Sequence, residues 1–166
     1  MIALRRAGAG DVDWLAELYV ADDVEPFMGG RHVRDRETLA AEVERSEREP
    51  ERFGRMVIEL EGERAGALGY EQVSAPNRIV RLGGLAVHPD FRGRRLADAA
   101  ARLVQRYLIE ELGYHRLELA CFAFNERAIA HAERSGFVRE GVKRRAYLRH
   151  GEWQDAVQFA LLADEL

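Results

Sequence analysis

The sequence of 166 residues predicts a single mixed α/β domain built around one sheet. Two stretches with helical spacing of apolar residues come first. A series of strand-like runs follows between residues 53 and 87, and the rest of the chain alternates helix, strand and helix before a closing hairpin. No internal repeat, linker or low-complexity tract divides the chain. We therefore expect one domain over residues 1–166.

The composition is that of a soluble globular protein, with 47% hydrophobic and 33% charged residues. A formal net charge of −4 argues against nucleic acid as a partner, because such binding requires a basic surface. Cys121 is the single cysteine, which excludes an intramolecular disulfide and fits a reducing compartment. No apolar stretch is long enough for a signal peptide or a membrane span, so we expect a cytoplasmic protein without a membrane partner.

The first third of the chain predicts a strand and two helices. Residues 1–6 are expected to form an edge strand, and Asp11 is a good N-cap for an amphipathic helix that reaches Tyr19. Residues 21–34 contain proline and a glycine pair and predict a mobile loop. The second helix, over residues 35–49, alternates opposite charges, which is typical of a solvated face.

The middle of the chain predicts three antiparallel strands and a long helix. Residues 53–60 and 64–73 form a hairpin about the turn Glu61-Gly62-Glu63, and residues 78–87 form the next strand. A helix is predicted from about 94 to 112, with its inner side formed by Leu96, Ala100, Leu103 and Tyr107.

The last third predicts a strand, a short helix and a hairpin. Residues 115–122 alternate in polarity, and Asn125 can cap a helix that ends near Ser135. The closing hairpin comprises residues 137–149 and 153–162.

The stretch from Gly83 to Ala97 carries the first chemical signal. A buried strand ends at Pro89, and a basic loop, Arg92-Gly93-Arg94-Arg95, then opens the long helix. The first N–H groups of a helix lack partners within the helix, and the helix dipole favours an anion there. This pattern predicts a site for a phosphate-bearing ligand. An ordinary strand–loop–helix connection with solvated arginines would have the same sequence pattern.

These residues resemble the GNAT superfamily of N-acetyltransferases. Its cofactor loop has the pattern Q/R-x-x-G-x-G/A, which Arg92, Leu96 and Ala97 fit, while Arg95 stands at the usual glycine. A second element of the family, N-x-x-A/S with G-F at the end of the same helix, is matched by Asn125 to Ala128 and by Gly136-Phe137. The tail resembles the branch that acetylates ribosomal-protein N-termini, through Glu140-Gly141, His150-Gly151 and Trp153-x-Asp155.

The resemblance implies a mostly antiparallel twisted sheet that is splayed between the strands near 79–88 and 115–122, with helices on both faces. It also implies that acetyl-CoA lies in the splay, with its pyrophosphate on the N–H groups of residues 93 to 97 and its pantetheine arm along the first strand. The cofactor-binding residues implied are Leu85, Ala86, Val87, Arg92, Gly93, Arg94, Arg95, Leu96, Ala97 and Asn125. Asn125 has an equally good structural role as an N-cap.

The implied reaction is direct transfer of an acetyl group from acetyl-CoA to a primary amine in a ternary complex. The acceptor would be a peptide N-terminus, a polyamine or another small amine, in a pocket formed by residues 22–34, the second helix and the closing hairpin. Asp22, Asp23 and Glu25 could attract a cationic acceptor or belong to a solvated loop. The alternative is a non-catalytic acyl-CoA-binding or regulatory module. Dimers are common among similar proteins, and the closing hairpin could pair to form a homodimer.

A base must take a proton from the ammonium form of the acceptor. The candidates are the strand carboxylates Glu71 and Glu118, each of which is also consistent with a solvated or ion-paired residue. The five histidines show no metal-ligand spacing, so no metal is expected.

Two residues depart from the family pattern. We expect Arg95 to be tolerated, because a position at the start of a helix need not have positive φ. Ala132 stands where many relatives have a tyrosine that donates a proton to the departing thiolate, and alanine cannot donate one. A thiol with a pKa of about 8.5 leaves with little help. His131 is expected to serve in packing or at the surface.

Overall fold

The computed structural model describes residues 1–21, 23–24 and 35–166. The strands are β1 (Ile2–Arg6), β2 (Phe53–Leu60), β3 (Glu63–Ser74), β4 (Ile79–Val87), β5 (Arg116–Phe122), β6 (Val138–Arg149) and β7 (Glu152–Leu162). The helices are α1 (Val12–Val20), α2 (Arg36–Arg48), α3 (Leu96–Arg106) and α4 (Glu126–Arg134). Of the predicted loop at 21–34, residue 22 and residues 25–34 lie outside the described ranges.

The seven strands form one sheet in the order β1-β2-β3-β4-β5-β7-β6. Every neighbouring pair is antiparallel except β4 and β5. These two parallel strands pair only where Ile79–Arg81 meet Arg116–Glu118, and they separate beyond that point. The predicted splay is therefore confirmed, and it leaves one edge of residues 82–87 without a strand partner in the part of the chain that the structure describes.

Both faces of the sheet are covered by helices, as predicted. On one face, α1 and α2 contribute Leu15, Leu39 and Val43 to a core that includes Val57 of β2. On the other face, α3 and α4 pack over a larger core, in which Phe159 of β7 is fully buried. No helix in the described ranges is long and apolar enough to span a membrane.

The long helix differs from its prediction at both ends. It begins at Leu96 rather than at residue 94, and after Arg106 the chain continues as a π-helical turn, Tyr107–Glu111. Leu103, expected on the inner side, is 38% exposed, while Val104 and Leu108 are buried. The residues of this helix that face the sheet are four apart, at Ala100, Val104 and Leu108. Val104, and not Leu103, therefore lies on the inner side.

Asp11 precedes α1 as predicted, but its side chain does not cap that helix. Its carboxylate accepts hydrogen bonds from the Gly8 N–H at 2.9 Å, from Arg5 at 2.7 Å and from Arg64 at 2.9 Å. The hydrogen bond from Arg5 lowers the pKa of Asp11 to about 2 against the opposing effect of burial. The residue thus joins β1, β3 and the start of α1.

Candidate active site

The separation of β4 and β5 opens a cleft of about 890 Å³. Its walls include residues 82–87 of β4, residues 119–121 of β5, the start of α3 and parts of α2 and α4. A volume of this size lies in the range of ligand-binding pockets in proteins. The cleft therefore combines an unpaired strand edge with the N-terminal ends of two helices.

A bulge in β4 shapes the middle of the cleft. Ala67 pairs with Ala86 and Gly69 with Gly83, so Gly84 and Leu85 together oppose a single residue of β3. Gly84 has φ +64, a conformation that glycine adopts without strain. The hydroxyl of Tyr19 donates a hydrogen bond to the Gly84 carbonyl at 2.9 Å, which holds α1 against the bulge.

The start of α3 corrects the expectation for Arg95. This residue has φ 56 and ψ 27 and so lies in the left-handed region, at the position where the resemblance places glycine. The conformation costs a non-glycine residue about 1 kcal/mol. No side chain caps the helix at this end, and the N–H groups of its first turn have no intrahelical partner. Leu96 and Ala97, which belong to this first turn, line the cleft.

The three arginines of the loop have different surroundings. Arg92 forms an ion pair with Asp23, and its Nε donates to the Val87 carbonyl at 3.3 Å. Arg94 lies over the Phe91 ring, 5.5 Å from its centroid, and does not line the cleft. Arg95 is exposed and lines the cleft. Two of the three predicted cations therefore reach the site.

Asn125 lies on the cleft wall at the start of α4 and is an N-cap, as its sequence context predicts. Its Oδ1 accepts a hydrogen bond from the Ala128 N–H at 3.1 Å. Further along the same helix, His131 Nδ1 lies 2.9 Å from Asp98 Oδ1, which joins α4 to α3. Burial opposes the effect, but the hydrogen bond with His131 and the charge of Arg134 lower the pKa of Asp98. His131 also lines the cleft, and its expected role in packing or at the surface stays a prediction.

The two carboxylates proposed as bases lie in different places. Glu71 lines the cleft, its side chain is 58% exposed, and Arg45 Nη1 lies 3.1 Å from its Oε1. Glu118 does not line the cleft and is 15% exposed, because it lies opposite Arg81 in the short stretch where β4 and β5 still pair. The structure brings only Glu71 to the cleft.

The sequence interpretation missed a buried cluster beside the bulge. Arg55 Nε donates to Glu42 Oε2 at 2.7 Å, and both side chains are largely buried. A Cβ on Gly84 would meet Arg55 Nη1 at 3.4 Å and the Tyr19 hydroxyl at 3.3 Å, so these two side chains converge there. Burial raises the pKa of Tyr19. Glu42 belongs to the charge alternation of α2, and nothing in that pattern separates it from the solvated carboxylates.

Cys121 also lines the cleft. Burial raises the pKa of its thiol to about 11, so it is protonated at neutral pH. Within the described ranges, no three histidine, cysteine or acidic side chains are grouped as metal ligands.

The sequence profile of the acetyltransferase (GNAT) family matches residues 13–137, which is most of the chain. The chain belongs to this family. It is an N-acetyltransferase that uses acetyl-CoA and acts on an amine.

Individual relatives lie at moderate identity. The spermidine N(1)-acetyltransferase of Escherichia coli (strain K12) is 26% identical over 148 residues, which cover 89% of this chain and 71% of that protein. A putative ribosomal N-acetyltransferase of Bacillus subtilis (strain 168) is 30% identical over 105 residues, covering 63% of this chain and 57% of that protein.

Among solved structures, a spermidine N-acetyltransferase from Vibrio cholerae in complex with CoA and spermine superposes with a TM-score of 0.88. The match is 18% identical and covers 99% of this chain and 96% of that chain. At this identity the comparison establishes the fold, and it confirms the single α/β architecture predicted from the sequence.

Proposed function

We propose that the cleft binds acetyl-CoA at the start of α3 and that the acetyl group passes directly to a small-molecule or peptide primary amine in a ternary complex. The observation that carries this proposal is the uncapped end of α3 beside the unpaired edge of β4. The first feature suits the pyrophosphate and the second suits the amides of the pantetheine arm.

The residues present fit this ligand. The N–H groups of Leu96 and Ala97, with the side chains of Arg92 and Arg95, would receive the phosphates. Backbone groups of residues 85–87 would pair with the pantetheine arm, and a backbone N–H beside the bulge would stabilise the developing oxyanion. Asn125 would contribute to the opposite wall. When bound, acetyl-CoA supplies an activated acyl group and a thiolate leaving group.

Glu71 is proposed to accept the proton of the acceptor ammonium through water. It lies three residues along β3 from the position opposite the bulge, a distance of about 10 Å, so direct transfer is too far. Its exposure keeps it in contact with water, whereas Glu118 is occupied by Arg116 Nε at 2.9 Å. Ala132 is buried and cannot donate a proton to the departing thiolate.

A homodimer through β6 and a cytoplasmic location are further proposals. β6 is one of the two edge strands of the sheet, and Val138, Val142 and Leu148 on it are exposed. Light scattering of the purified protein tests the dimer, which predicts twice the mass of one chain. The single cysteine of the sequence, Cys121, is consistent with a reducing compartment.

The reaction is tested by following thiol release from acetyl-CoA over a panel of primary amines. We expect saturable turnover with at least one amine, and we expect Glu71→Gln to lower kcat/KM by roughly tenfold at neutral pH, less than for a base in direct contact with the amine. Glu118→Gln is the matched control and should retain most of the activity. Acetyl-CoA binding without turnover on any amine would favour the non-catalytic alternative.

A further inference from the structure

The acceptor half of the cleft is the part lined by α1, α2, β2, β3, residue 23 and residues 81–84 of β4. The charged side chains of the acceptor half determine which charged groups an acceptor can carry there. Its described carboxylates are Asp23, Glu42 and Glu71, and its arginines are Arg45, Arg55 and Arg81, with Arg92 at the border. The positive side chains therefore equal or exceed the negative ones in number.

Each of these carboxylates is already paired with an arginine. Glu42 accepts from Arg55 Nε at 2.7 Å, and Glu71 lies 3.1 Å from Arg45 Nη1. Asp23 accepts from Arg92. A polyamine entering this half would meet no carboxylate in the described residues that is not already in an ion pair.

The arginines in these pairs are held by other contacts as well. The Arg45 guanidinium lies over the Phe53 ring, 4.3 Å from its centroid, and its Nε is 3.2 Å from Glu49. Arg55 is largely buried beside the bulge. A polyamine that displaced either arginine from its carboxylate would leave a like charge next to itself, and the repulsion would be stronger at the largely buried Arg55 than at the more exposed Arg45.

Arg81 is the most weakly held cation of the acceptor half. Its side chain is 50% exposed, and its Nη2 is 3.7 Å from Glu118, a carboxylate that Arg116 binds at 2.9 Å. Arg81 lies three residues before the bulge at Gly84, about 10 Å along the strand. Residue 22 and residues 25–34, outside the described ranges, contain two acidic residues and two arginines in the sequence, so their formal charges balance.

We propose that the acceptor is a primary amine whose far end carries a carboxylate, which Arg81 binds, and that polyamines are poor acceptors. The proposal rests on the proposed acetyl transfer and specifies its substrate class. The acceptor would then differ from spermidine, for which several relatives are named. The amine lies near the bulge, where acetyl transfer takes place, and the carboxylate reaches the exposed guanidinium.

The test uses three six-carbon amines that differ at the far end: 6-aminohexanoate, n-hexylamine and 1,6-diaminohexane, with spermidine as a fourth. We expect kcat/KM to fall in the order carboxylate, neutral, cation, with about five- to tenfold between the first and third. Arg81→Gln should remove the preference for 6-aminohexanoate over hexylamine, and Arg81→Glu should favour 1,6-diaminohexane. Arg102→Glu, an exposed site on α3 that does not line the cleft, is the control and should keep the wild-type order.

A thermal shift with acetyl-CoA shows that each variant is folded and binds the co-substrate. If spermidine or 1,6-diaminohexane is used better than 6-aminohexanoate while acetyl-CoA is consumed, this inference is wrong and the acetyl transfer stands. The inference is equally wrong if Arg81→Gln leaves the preference unchanged. If acetyl-CoA neither binds nor is consumed, the proposed function fails and this inference fails with it.

Discussion

The N-terminal ends of α3 and α4 both lie on the cleft, but a side chain caps the first-turn N–H groups only at α4. At α4, Asn125 Oδ1 accepts the Ala128 N–H, so a group of the first turn is used within the protein. At α3, Arg95 is in the left-handed conformation and offers no side-chain cap. The two ends are therefore not equivalent anion sites. A phosphate can accept more hydrogen bonds from the free N–H groups at the uncapped end of α3.

Among the substitutions at these two helix ends, Arg95→Pro should lower the affinity for acetyl-CoA most. The proline ring fixes φ near −65°, so the backbone cannot adopt the observed φ of 56. We expect acetyl-CoA affinity to fall by at least about 100-fold in calorimetric titrations. A proline variant that unfolds below the wild-type melting temperature by only a few degrees and still binds normally would show that this loop conformation is dispensable.

Asp98→Asn should weaken the contact that joins the two helices. At pH 7 the loss of the charged hydrogen bond to His131 should lower the free energy of unfolding by about 1 kcal/mol. Because the folded pKa of Asp98 is lowered, its stabilising effect is fully present above the ordinary pKa of about 3.9 and is lost as pH falls through the lower folded pKa. Urea denaturation should therefore show a smaller difference between variant and wild type at pH 3 than at pH 7.

Asn125→Ala tests the capped end. Loss of the cap should lower the free energy of unfolding by about 1 kcal/mol, and Asn125→Asp should restore most of it. Acetyl-CoA affinity should change less than about threefold, because the amide oxygen is already bonded to Ala128. A much larger loss of affinity with unchanged stability would show that Asn125 acts chiefly by contacting acetyl-CoA and not as the helix cap.

Arg95→Gly should have the smallest effect. Glycine removes a left-handed strain of about 1 kcal/mol but adds conformational entropy to the unfolded chain, so stability should change by less than about 1 kcal/mol. Acetyl-CoA affinity should fall by at most about threefold, because the backbone N–H groups provide most of the site and the exposed Arg95 side chain adds only a solvent-screened contact. Arg95→Ala is the matched control, because it removes the guanidinium and keeps the strain.

Local patterns predicted most of the fold. The hairpin of β2 and β3 is signalled by its turn at Glu61 and Gly62, and α4 by Asn125 at its start and Gly136 after its end. These features depend on neighbouring residues, so a single sequence contains the information. The position of the cleft between β4 and β5 was implied by the family resemblance that the motifs at residues 92–97 and 125–128 carry.

Features that depend on contacts between distant segments could not be predicted. The exclusion of Glu118 from the cleft follows from the register of β4 on β5, and the pair of Arg55 with Glu42 follows from the packing of α2 on β2. The left-handed conformation of Arg95 was missed because arginine gives no local signal for it, whereas a glycine at this position would have suggested it.

If the uncapped end of α3 binds the phosphates, Ala97→Asp should affect only ligands that carry them. A carboxylate in the first turn favours the helix but competes with and repels a phosphate. Affinity should be measured for acetyl-CoA and for S-acetylpantetheine, which lacks the pyrophosphate. We predict that the variant keeps or raises its melting temperature, loses at least about tenfold in affinity for acetyl-CoA and binds S-acetylpantetheine as the wild type does. An equal loss for both ligands, or none for acetyl-CoA, would show that the phosphates do not bind at this helix end.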